Sequence, residues 1–174
     1  AKRNWGRVRR VLDNLQPIDP LSRSRDGDLP GIGLLLPSAA KDFWKVSFVL
    51  HAARRASRNH IDRATVVVPE RHLEEAQSHR WDATVVAEES YLDPLILAAT
   101  DRYSDIGRRG WVIQQMIKLY GAWMSPTAGV LVIDSDTILL GLRTWLTKSG
   151  RQILSFSHEN HAPYETHAAK IWGA

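Results

Sequence analysis

From Gly31 onward, short continuous apolar runs alternate with stretches whose apolar residues recur at helical spacing. "IGLLLPS" predicts a strand ending at Pro37. "DFWKVSFVLHAARRASR" places Phe43, Val46, Val49, Leu50 and Ala53 on one helical face, with Asp42 as its N-cap. "ATVVVPE" predicts a second strand, "RHLEEAQSH" a short helix and "ATVVAEE" a third strand. A helix over 110–124 then leads to a strand over 129–134, and "RQILSFS" predicts a last strand. Strands that are apolar throughout and separated by helices predict an α/β fold with a mainly parallel central sheet and helices on both faces. Before Gly31 the pattern is absent: a basic stretch from Lys2 to Arg10 and "QPIDPLSRSRDGDLPG" predict an arm and loop over 1–30, ahead of a domain over 31–174.

In an open parallel sheet, ligands bind beyond the carboxyl ends of the strands. That singles out Pro37, Ser38, Lys41 and Asp42 after the first strand, Glu70 after the second, Glu88 and Glu89 after the third, and Asp134, Ser135 and Asp136 in "VLVIDSDTILL". Two carboxylates one residue apart at the end of an apolar strand repel each other unless a positive group lies between them. A hard cation, Mg²⁺ or Mn²⁺, meets that need and can bridge to substrate phosphates. A solvated turn also accounts for a bare D-x-D. The preceding segment "GWVIQQMIKLYGAWM" is apolar except for Gln114, Gln115 and Lys118. It predicts a helix buried nearly all round with one polar stripe, from which Lys118 offers a point charge to a diphosphate.

The order strand, "QQMIKL" helix, "VLVIDSDTILL" resembles nucleotide-sugar glycosyltransferases of the GT-A fold. Glycogenin-like members carry a Lys-Leu pair at the same interval before the first Asp, here the sixteen residues from Lys118 to Asp134. "LLLPSAAKDF" is similar to the first strand and nucleotide loop of that fold. "GWVIQQ" and "HAPYETHAAKIWG" are similar to a bacterial group of such proteins. The resemblance implies a UDP-sugar donor, an acceptor of undefined class and a Mn²⁺ or Mg²⁺ cofactor. It makes Asp136 the direct metal ligand, Asp134 a ribose or metal contact beside Ser135, and Lys118 a phosphate or sugar contact. Pro37, Ser38, Lys41, Asp42 and Glu70 would line the nucleotide pocket, and Gln114 and Gln115 would lie near the donor. His158, Glu159 and His161 in "SHENHAPYETH" are the acid/base candidates; their H-E-x-H spacing is not that of a zinc protease.

Composition narrows the alternatives. Among 174 residues there is no cysteine, so disulfides and thiolate metal sites are excluded. No apolar run reaches membrane-spanning length and the start lacks an apolar signal core, which predicts a cytoplasmic protein whose basic arm could touch an anionic membrane surface. The net charge of +4 favours anionic partners without requiring nucleic acid. The seven tryptophans, set among apolar residues, predict core or edge packing. A haloacid dehalogenase-type phosphatase also carries D-x-D after a strand, but Ile138 stands where that motif wants Thr or Val. A non-catalytic basic binding module is the third class. With only 38 residues after Asp136, the expected acceptor site is incomplete and donor binding should exceed transfer.

Overall fold

The computed structural model describes residues 29–105, 107–154 and 162–172, with the side chains of Ala122, Met124, Tyr164 and Trp172 left aside. The predicted arm over 1–30 lies outside this range except for its last two residues. Four strands, β1 (Ile32–Pro37), β2 (Ile61–Val68), β3 (Thr84–Ala87) and β4 (Val130–Val132), form one sheet in the order β3-β2-β1-β4. Every pairing is parallel. The helices are α1 (Phe43–Ala56), α2 (Leu73–Ser78), α3 (Glu88–Tyr91), α4 (Pro94–Ala99), α5 (Arg109–Met124) and α6 (Ala162–Trp172).

Strand alternation divides the core in two. Ile32, Leu34, Leu36, Val66 and Val68 point to one face, where Phe43, Val46, Val49, Leu50 and Ala53 of α1 and Ala76 of α2 cover them. Leu35 and Val67 point to the other, against Leu92, Ile113 and Ile117. The strands are buried on both sides, which is why their sequences read as uninterrupted apolar runs. Ile113, Ile117 and Gly121 recur every four residues along α5. A Cβ at Gly121 would lie 2.5 Å from Leu35 Cδ2, so the glycine permits the close approach of α5 to β1.

Several expectations are corrected. Asp42 does not cap α1: a 3₁₀ turn over Ala40–Asp42 has already brought it into helical conformation, and its carboxylate accepts from Lys45 Nζ at 2.6 Å. β2 begins three residues before the apolar run, because Asp62 and Arg63 are exposed positions of a real strand. α4 was not anticipated, although Asp93 caps it through Leu95 N–H and Pro94 opens its first turn. Residues 151–154 form no strand; Gln152 makes an isolated antiparallel bridge to Leu146, and 155–157 lie outside the described residues. α5 is not buried all round, since only one face meets the sheet: Trp111, Leu119, Tyr120 and Trp123 are exposed, Trp123 at 89%. Trp44 on α1 is 67% exposed, so the packing role predicted for tryptophans holds for Trp81 and not for these.

Asn59 closes the architecture. Its buried side chain donates from Nδ2 to Pro30 O and Leu146 O, both at 3.0 Å, and its Oδ1 accepts from Trp145 N at 2.8 Å and Leu146 N at 3.2 Å.

Candidate functional site

From β1 the chain winds outward to β2 and β3, then returns to place β4 on the opposite side of β1. The order therefore reverses between β1 and β4, which in an open parallel sheet is where the binding crevice lies, beyond the carboxyl ends of the strands.

β4 ends through Ile133, whose N–H donates to Leu35 O at 3.0 Å and whose side chain is buried. A tight turn follows, closed by Thr137 N–H to Asp134 O at 3.0 Å. Ser135 is buried within it, and Asp134 and Asp136 are exposed on either side. Lys118 Nζ lies 2.5 Å from Asp134 Oδ1, with the lysine side chain 22% and the aspartate side chain 53% exposed. Lys118, one member of the polar stripe expected on the helix, thus faces the acidic turn rather than open solvent. Gln114 and Gln115 are half-buried beside Lys118.

The carboxyl ends of β2 and β3 carry a second charged group. Glu70 N–H donates to Glu89 Oε2 at 2.9 Å, tying the two strand ends together. Glu88 is only 8% exposed. Burial pushes its carboxyl up to about 7, Glu89 adds to the rise, and Arg109 and Arg71 oppose it. Arg109 in turn pairs with Asp101 at 2.7 Å. The sequence carries no signal for the roles of Arg71 and Arg109: Arg71 opens the short helical stretch after the second strand and Arg109 stands just before the helix predicted over 110–124, positions where a basic residue does not reveal the carboxylate it will meet.

Of the other predicted positions, Lys41 and Glu70 are exposed, Asp42 is half-buried, and Pro37 and Ser38 are buried. Ser38 N–H donates to Val67 O at 2.9 Å, extending the sheet. His158, Glu159 and His161 lie outside the described residues. Glu165 and His167 are exposed on α6.

Among the described residues, no three His, Asp or Glu side chains converge as a ready-made metal cage. The turn offers two carboxylates, Asp134 and Asp136, and a Mg²⁺-type site needs only one or two, with water or phosphate oxygens completing the shell. Asp134 is charge-balanced by Lys118, whereas Asp136 makes no hydrogen bond or ion pair within the described residues. The arrangement pairs a carboxylate open to a cation with a lysine within reach of an anion.

The chain was compared with known families, curated proteins and solved structures. The model of a family of unknown function (DUF6492) matches residues 31–172. No curated protein and no solved structure matches.

Proposed function

The chain therefore belongs to DUF6492, a family of unknown function, and from the geometry of the acidic turn we propose that it is a metal-dependent glycosyltransferase using a nucleotide-diphosphate sugar, UDP-sugar foremost. The observation that carries the reading is the Lys118–Asp134 contact at the β1/β4 crevice, with Asp136 unpartnered beside it among the described residues.

Asp136 and Asp134 would hold Mg²⁺ or Mn²⁺, which supplies charge to a departing diphosphate. Lys118, already placed at the acidic turn, adds a second positive charge on the same oxygens. Lys41 and Glu70 stand at neighbouring strand ends where base and ribose contacts would form. Transfer exchanges the bond between the anomeric carbon and the diphosphate oxygen for one to an acceptor hydroxyl oxygen. The nucleoside diphosphate leaves with the bonding pair, and the hydroxyl proton passes to solvent.

The testing experiment is a thermal-shift panel of UDP, GDP, ADP and CDP with and without Mn²⁺. UDP with Mn²⁺ at about a hundred times its Kd should raise Tm by roughly 5 to 10 °C, and neither alone should do so. Asp136→Ala should abolish the joint effect. A nucleotide shift that is indifferent to Mn²⁺, or the absence of any shift, overturns the reading.

A further inference from the structure

The core face of α1 is complete with Phe43, Val46, Val49, Leu50 and Ala53, yet the helix carries two more large aromatics, Trp44 and Phe48, one turn apart and 67% and 64% exposed. Neither serves the interior. Across from them lies Ile138, two residues beyond the acidic turn, itself 45% exposed. Together with Lys45, Ser135 and Asp136 these residues line an open groove of about 500 Å³. That size falls within the range of small-molecule sites, and carbon atoms form nearly all of its wall. Exposed aromatic surface that neither packs the core nor scatters singly marks a place where something apolar binds.

The charges at its rim narrow the ligand. Lys45 Nζ is engaged by Asp42 at 2.6 Å and stands 5.4 Å from the Trp44 ring centroid, so its charge is balanced within the protein. Asp136 has no such balance among the described residues. With Asp136 bare an anionic head would be repelled there, and with the cation of the nucleotide-sugar reading held beside it a cationic head would be, while hydroxyl groups would donate to the carboxylate in either state.

We propose that this groove binds the hydrocarbon chain of a neutral amphiphile and presents its hydroxylated head to Asp136. The acceptor role of that head rests on the nucleotide-sugar reading above; the binding itself does not. The groove and the donor crevice share the 134–136 turn, so a head group at Asp136 lies beside a donor held by the same turn.

The test titrates metal-free protein with n-hexyl and n-octyl β-glucoside below their micellar concentrations, by calorimetry. Two more buried methylenes should tighten binding by about tenfold. Octanoate should bind at least tenfold more weakly than octyl glucoside. Trp44→Ala/Phe48→Ala should erase the chain-length difference while keeping the urea midpoint, because both side chains lie outside the core. Leu119→Ser/Trp123→Ser, on the other sheet face, should preserve it. Equal affinity for the two glucosides, a difference that survives the α1 double variant, or one that vanishes in the α5 variant overturns the proposal. Binding to neutral phosphatidylcholine vesicles without binding of monomeric glucoside also overturns it and makes the patch a membrane contact. A UDP–Mn²⁺ thermal shift on the same protein separates the two readings: lost with glucoside binding intact, it removes glycosyl transfer and leaves the groove; kept with glucoside binding absent, it removes the groove alone.

Discussion

Lys118 reaches across from the middle of α5 to Asp134 at the mouth of β4, a contact of 2.5 Å between residues sixteen positions apart. With the carboxylate half exposed, such a pair contributes at most about 1 kcal/mol to stability. In the proposed reading, its position at the β1/β4 edge gives it a use that stability does not. Lys118→Met should therefore move the urea midpoint little and weaken UDP–Mn²⁺ binding at least tenfold, about 1.4 kcal/mol. Unchanged affinity in calorimetry would reduce the pair to a surface ion pair.

Glu88 should make stability fall as pH rises. Its unfolded carboxyl releases its proton near 4.5, whereas in the fold it keeps it to about 7, so between those values the native state binds more protons. The stability it contributes is complete below about 4.5 and is lost through about 7. The full shift corresponds to roughly 3 kcal/mol as an upper bound. Glu88→Gln should flatten the difference between pH 5 and pH 8 in urea melts and exceed the parent at pH 8. A variant that tracks the parent across this range would mean that Arg71 and Arg109 already neutralise the carboxylate.

Removing the Asn59 amide should cost at least about 2 kcal/mol, since Asn59→Ala leaves Pro30 O, Leu146 O and two backbone N–H groups without their partner. The urea midpoint should drop with the slope unchanged. A loss below about 0.5 kcal/mol would show that water replaces the amide.

Leu119 and Trp123, by contrast, project from α5 with 71% and 89% of their surface exposed. Leu119→Ser/Trp123→Ser should change stability by about 0.5 kcal/mol or less. A larger loss would require a packing partner for this face.

The main lines of the fold were readable because burial on both sides turns a parallel strand into an apolar run, and β1, β2 and β3 each contain one. What escaped were features set by partners rather than by pattern. Asp62 and Arg63 gave no sign that backbone pairing with β1 would extend β2 under them. The Asp93–Pro94 start of α4 is a cap signal in the sequence, but the six-residue helix behind it is too short to show a helical period of its own. On α5, apolarity on every side suggested burial, yet the sheet covers only one. At the site, strand ends and the Lys118 interval located the acidic turn, but the burial of Glu88 depends on α5 and the neighbouring strand ends closing over it. The groove at Trp44 and Phe48 was hidden for a related reason: i, i+4 aromatics beside a core face look the same whether or not they join it.

The position of β4 also bears on how the molecule is assembled. Gly33 pairs with Arg63, thirty residues away, but on its other side with Val130, ninety-seven residues away. Closing the longer loop costs about 1 kcal/mol more chain entropy, and β4 offers a shorter strand in return. That difference favours β1, β2 and β3 as the earlier nucleus, with β4 docking onto it last. In that order Asp134 and Lys118 would meet only in the final step. A chain arrested before it would keep most of its sheet and lack the paired β1/β4 edge, so binding there, as proposed, would report completed folding more faithfully than helix or strand content does.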